Sequence, residues 1–184
     1  MVRFALEVCL QFRLQAGHNA LHLFRGAHLE WSMHYTLTNA TFESPFEELS
    51  ATHPAAVNGV VAVPAGARIP SIPTHVAKAG LTVVSAFGLS AGASVVAQSS
   101  QYFRGDEANL LAPVPGYVVV NARLAYQVAA PVSVWLRVDN VLDERYSTFG
   151  VLGDPTPLFP TFDDPRFLGP GAPRAAWVGV DLRR

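Results

Sequence analysis

The chain has 184 residues, with 13 Lys and Arg, 14 Asp and Glu and a formal net charge of −1, so no basic stripe offers phosphate neutralisation and no nucleic-acid partner is expected. Half of it is hydrophobic but only 15% is charged, against about 25% in an average soluble domain, and no run of about 18 apolar residues could form a transmembrane helix. Cys9 is the only cysteine, which excludes an internal disulfide and a multi-cysteine metal site.

The amino-terminal stretch places Val2, Phe4, Leu6, Val8, Leu10, Phe12 and Leu14 on one parity, with Arg3, Glu7, Gln11 and Arg13 on the other. Period two means a β-strand with one apolar face. Glu7 and Arg13 interrupt any signal-peptide core, no small-residue cleavage site follows, and Glu7-Val8-Cys9 fits a lipoprotein site poorly. Met1 therefore reads as an internal start. Segment 15–27 is either a turn at Gly17-His18-Asn19 or a longer connection.

A second strand over 28–42 sets Leu29, Trp31, Met33, Tyr35 and Leu37 against Glu30, Ser32, His34, Thr36 and Thr38. A long loop rich in Pro, Ala and Gly runs from 43 to 73. A third strand, 74–85, and a fourth, 89–102, flank a tight turn at 86–88. Loop 103–116 leads to a fifth strand, 117–128. A turn at Ala129-Ala130-Pro131 opens the sixth, 132–141, where Val132, Val134, Leu136 and Val138 alternate with Ser133, Trp135, Arg137 and Asp139. A proline-rich loop of roughly thirty residues ends near Arg174, and the last strand is 175–184.

Connections that are long and short in strict turn describe an up-and-down antiparallel meander whose two ends meet different surroundings. The expected fold is all-β: about seven strands of a transmembrane β-barrel, an incomplete barrel with external loops at 43–73, 103–116 and 142–174. The non-apolar face carries Ser, Gly, Thr, Gln, Asn and Arg, a mixture suited to a lumen. Aromatics near strand ends (Tyr102, Phe103, Tyr117, Tyr146, Phe149, Trp177) suggest interfacial girdles. Two alternatives remain open. A soluble β-sandwich binding module would bury the same apolar parity against a second sheet. A small pore would close its two edges by oligomerising.

No catalytic, cofactor-binding or metal site is assigned. His18 and His22 would share a face only in a helix, without a third ligand, and read as a polar connection. His34 and His75 read as lumen or loop residues. Asp154, Asp163 and Asp164 could bind calcium but read as loop solvation. Arg104-Gly105-Asp106 reads as a turn, and Gly169-Pro170-Gly171 is a poor phosphate cradle because Pro170 has no N–H. Nothing in the spacing gathers Ser, His and Asp into a triad, so no enzyme is expected.

Val138-Asp139-Asn140-Val141-Leu142-Asp143-Glu144-Arg145-Tyr146 resembles the Asn-Leu-Phe-Asp-x-x-Tyr stretch of TonB-dependent outer-membrane receptors, where the penultimate strand enters its last external loop. Similar to that family are also 68–75, 101–107 (Gln101-Tyr102-Phe103-Arg104-Gly105-Asp106-Glu107), 113–117 (Pro113-Val114-Pro115-Gly116-Tyr117) and the closing Trp177-Val178-Gly179-Val180. The resemblance spans 28–184, whereas 1–27 rest on strand pattern alone. It implies the carboxy-terminal part of a plugged barrel of about 22 strands in the outer membrane. Such receptors import ferric siderophores, cobalamin or similar scarce ligands. Outer-membrane lipid would cover the apolar face, and the TonB complex would act only through a plug and box that this sequence lacks. A fragment of this kind is not expected to transport alone, its ligand-binding residues are unknown, and no cofactor is implied. Members usually end on an aromatic residue, whereas this chain ends Asp181-Leu182-Arg183-Arg184.

Overall fold

The structure, a computed structural model, describes residues 27–157, 160–161 and 163–182, and the backbone of 2–16. Eleven strands are found among the described residues, and no helix. Seven form one antiparallel sheet: β1 (Val2–Ala16), β2 (His28–Phe42), β5 (His75–Val84), β6 (Leu89–Gln98), β7 (Tyr117–Ala129), β8 (Val132–Asp139) and β11 (Ala175–Leu182). Their spatial order is β1-β2-β5-β6-β7-β8-β11. Each barrel strand pairs with the next one along the chain, as the meander predicts, and the sheet is open between β1 and β11. The expected turn at Gly17-His18-Asn19 and the Arg184 terminus lie outside the described residues.

Register carries the alternation across the whole wall. Trp31 faces Leu81, Leu81 faces Ala93, Ala93 faces Ala122, Ala122 faces Val138 and Val138 faces Ala176. One parity is therefore apolar on every one of these strands. The neighbouring row joins Glu30, Thr82, Gly92, Arg123, Arg137 and Trp177 on the other face. Short turns close one end of the sheet: 85–88 between β5 and β6, and Ala130-Pro131 between β7 and β8. Ser85 accepts the Leu89 N–H at 3.0 Å through Oγ, and Gly88, at φ 86°, completes that turn.

Four further strands pair as two hairpins inside the long loops: β3 (Phe46–Leu49) with β4 (Val60–Val63), and β9 (Ser147–Leu152) with β10 (Arg166–Pro170). The sequence reading treated both stretches as irregular. Within the connection 50–59 between β3 and β4 there was one local signal, Asn58-Gly59, which closes an isolated bridge between Val57 and Val60. These two residues adopt φ 53° and 76°, and Val57 and Val60 exchange backbone hydrogen bonds at 2.9 and 3.1 Å, as a two-residue hairpin turn requires.

The sheet has no core of its own. Met33, Leu81, Leu124, Leu136, Val178 and Val180 are all exposed on its apolar face, and among the described residues no second sheet packs there. A β-sandwich would have buried these side chains. The best-covered side chains sit instead in or beside the long loops: Val61, Val63, Ala67 and Ala108 form one cluster, against which Phe42 and Ala56 pack, while Phe103 and Val114 are buried close by. Burial from solvent is thus concentrated at the rim that carries the long loops.

Candidate functional site

Two regions gather chemistry: the polar face of the sheet and the rim that carries the long loops. On the polar face a groove of about 570 Å3 is lined by Glu30, His34, Thr82, Ser94, Arg123 and Arg137 among others. Gly80 and Gly92 form its floor; a Cβ on Gly92 would come within 3.0 Å of Thr82 Oγ1. Arg137 Nε donates to Asp139 Oδ1 at 2.7 Å, while the Arg123 guanidinium lies 5.7 Å from the Trp135 ring centroid, a cation–π distance. Trp135 Nε1 donates to Asp181 Oδ1 at 3.3 Å, and its ring covers Gly179. This wall is polar and ordered by cross-strand contacts, with both signs of charge.

At the rim the three long loops interlock. Loop 43–74 meets loop 99–116 through a reciprocal clasp: Arg68 N–H donates to Asn109 Oδ1 at 2.6 Å, and Asn109 Nδ2 returns a bond to Arg68 O at 3.0 Å. The Arg68 guanidinium itself bonds Thr74 Oγ1. Deeper in the same contact His53 (3% exposed) faces Asp106 (0% exposed). His53 Nδ1 accepts the Ala55 N–H at 3.0 Å, so its Nε2 carries the proton donated to Asp106 Oδ1 at 3.1 Å. Asp106 also accepts from the Leu110 and Leu111 amides at 2.8 and 3.0 Å. A buried carboxylate thus receives three donors, as such a group needs. Sequence reasoning missed His53, since 53 residues separate it from its partner.

Loop 99–116 also holds the third loop. Arg104 N–H donates to Gly150 O at 3.0 Å, Leu152 N–H donates to Arg104 O at 2.8 Å, and Gln101 Nε2 reaches Thr148 O at 2.7 Å. Phe103 packs against Gly150, where any side chain would collide with its ring. Asn140 (1% exposed) ties the base of the third loop. Its Nδ2 donates to Glu144 O at 2.9 Å and Ala172 O at 3.1 Å, while its Oδ1 accepts the Glu144 N–H at 2.9 Å. Its own amide donates to Asn121 Oδ1 at 2.9 Å.

The other candidates fall as follows. His34 lines the groove, and His75, at the start of β5, shares a 2.8 Å hydrogen bond with Tyr35. His18 and His22 lie outside the described residues. Asp164 is spent on Arg166, which grips it at 2.9 and 2.8 Å and holds its carboxyl down at about 2. Asp154 accepts from the Thr156 hydroxyl and amide at 2.7 and 2.9 Å, which lowers its pKa. Among the described residues no three His, Cys, Asp or Glu side chains are grouped to hold a metal. Arg104-Gly105-Asp106 is a turn, with Gly105 at φ 97°. Gly169 and Pro170 belong to β10, where Gly169 lies against the Phe149 ring and Gly171 beyond it against Tyr146.

The girdle expectation needs correction. Phe103 is 4% exposed and belongs to the loop core, and Phe149 sits in the β9–β10 hairpin rather than at a barrel-strand end. Tyr117 does stand at the rim, its ring centroid 4.4 Å from that of Tyr146.

A family model described as TonB dependent receptor-like, beta-barrel, matches residues 12–141. Among solved structures, the siderophore receptor PiuA from Acinetobacter baumannii is similar at TM-score 0.64 and 21% identity, covering 84% of this chain and 19% of that one. The ferric-catecholate import receptor Fiu from E. coli K12, in its closed form, gives 0.59 and 16%, covering 96% and 20%. The ferric yersiniabactin uptake receptor FyuA from Yersinia pestis gives 0.59 and 17%, covering 88% and 22%. No curated protein sequence matches. The chain spans about a fifth of the length of these three receptors, and at such identities the likeness is one of fold. With most of its length matched by the family model, the chain belongs to the TonB-dependent receptor-like β-barrel family.

Proposed function

We propose that this chain is the carboxy-terminal portion of the barrel wall of an outer-membrane receptor. The receptor imports a scarce ligand, a ferric siderophore or similar, with energy delivered by the TonB complex. The observation that most supports this reading is the division of the sheet: a continuous exposed apolar face, a polar groove on the other side, and three interlocked loops at one rim. Strands β5 and β6 have 10 residues each, and at about 3.3 Å per residue and a tilt near 40° such strands rise about 25 Å, the height of a barrel's lipid-facing band. In this orientation the long-loop rim faces outside and the short turns face the periplasm. The iron-chelate receptors among the structural neighbours favour a similar cargo.

The wall does not close by itself. β1 and β11 stand at opposite edges, and each unpaired backbone group exposed to lipid costs several kcal/mol. Further strands must complete the barrel, and TonB acts through a plug that these residues do not supply. The 184 residues alone are thus transport-incompetent, and no catalytic role is proposed. Uptake of radioactive iron from ferric siderophores tests this reading. Cells expressing the gene with its flanking coding sequence should accumulate iron only when TonB is present, and cells making this chain alone should not. TonB-independent uptake, or uptake by the isolated chain, would contradict it.

A further inference from the structure

Besides the Asn109 clasp and the His53–Asp106 pair, a third contact joins the first two loops, and it places two acids together. Glu48, on β3, stands opposite Val61, and Val61 packs in one buried cluster with Ala108, the residue after Glu107, which brings the Glu48 and Glu107 carboxyls within hydrogen-bonding reach. Glu107 Oε1 accepts the Gly105 N–H at 3.2 Å, but its Oε2 is buried with no donor. Two carboxylates cannot satisfy one another, because both are acceptors. A single proton on Glu48 resolves the conflict: its O–H donates to the orphaned Oε2. We propose that Glu48 and Glu107 share one proton and act as a pH-dependent latch between the first and second long loops, docked in acid and loosened in alkali.

The charged surroundings all push in one direction. From loop 99–116 Glu107 and Asp106 act on Glu48, and His53 of its own hairpin is bonded to Asp106. The paired strand β4 is Val60–Val63 and contributes no charge; Glu48 stands opposite Val61 there. Burial first, then the hydrogen bond and charge of Glu107, then the charge of Asp106, push the Glu48 carboxyl from 4.5 up to about 7. A docked hairpin therefore holds this proton more tightly than a released one. The contribution to docking is complete below about pH 4.5 and is lost as the pH rises through about 7. Glu48 remains half-exposed, so solvent screening reduces the several hundredfold effect of the full shift to about tenfold.

Hydrogen exchange of the full chain in detergent micelles tests the latch. After correction for intrinsic rates, amides of 46–63 should open about tenfold more readily at about pH 8 than at about pH 5.5, while those of β6 keep a constant ratio. Glu48→Gln, a neutral isostere, should hold the acid-level protection at both pH values. Glu107→Gln, whose amide can donate to the Glu48 carboxylate, should shrink the pH dependence to what burial and Asp106 contribute; it gives a second reading if the first variant folds poorly. A wild-type ratio below about twofold overturns the proposal. So does a pH dependence that survives Glu48→Gln, or one that Glu107→Gln leaves undiminished.

Discussion

Removing the Asn140 side chain should release the base of the third loop while leaving the barrel strands paired. Asn140→Ala deletes three side-chain hydrogen bonds, two to carbonyl groups of Glu144 and Ala172 and one from the Glu144 amide. Each has a net worth of about 0.5–1.5 kcal/mol at a site this well covered. Asn140 also sits at φ 51°, where a Cβ without a compensating polar group costs about 1–2 kcal/mol. The sum is about 2.5–6.5 kcal/mol against closure of the loop. Asn140→Gly loses the same bonds but not the backbone penalty, so it should be milder by about 1–2 kcal/mol. The assay is amide exchange by NMR in detergent, read at Gly171, whose N–H donates to Tyr146 O at 2.8 Å beside Ala172, a partner that the substitution removes from Asn140. Protection at Gly171 should fall by about a hundredfold or more in the alanine variant, while β6 and β7 amides are unchanged. A change within about threefold at Gly171, or a glycine variant as damaging as alanine, would refute the reasoning.

Placing a charge mid-wall separates the two faces. Leu81→Arg, on the apolar face, should lower stability by about 2–4 kcal/mol in urea titrations of lipid-embedded protein, whereas Ser94→Arg beside the groove should cost less than about 1 kcal/mol; equal costs would mean the faces are misassigned. The Asp164 carboxyl, held at about 2 by Arg166, keeps its ion pair as the pH falls through 3.8 and loses it only near 2, since its folded pKa is depressed. Carbon-13 titration should show this low midpoint, and Arg166→Ala should return it toward the ordinary carboxylate range; an unchanged midpoint would exclude Arg166 as its cause.

The barrel wall was readable from sequence because every residue of a half-apolar strand votes on its face. Strand β2 was predicted over the same residues that the structure gives, and β5, β7 and β8 differ by one or two at an end. The motif around Asn140 also carried more than likeness: its buried amide makes bonds that only Asn, at a positive φ, makes together. The loops were opaque for two reasons. β3 is Phe46–Leu49, four residues with two adjacent glutamates, which depress strand propensity, and Asn58-Gly59 signalled only the bridge within its connection to β4. The interlocking contacts pair residues 41 to 53 positions apart, and no local pattern reports them. Asp106 illustrates the difference: in sequence it completed a tripeptide turn, whereas folded it is the buried acceptor between two loops.

The central claim is that the apolar parity of the seven-stranded sheet faces lipid and the polar parity faces an aqueous lumen. Single-cysteine scanning in a Cys9→Ala background, in lipid vesicles, tests it most directly. Cysteines at 81, 93 and 122 should resist a water-soluble maleimide and, once labelled with a fluorophore, be quenched by brominated lipid chains. Cysteines at 32, 82 and 94 should react from water and escape that quenching. A protein that stays monomeric in buffer without detergent, with both sets behaving alike, would contradict the account.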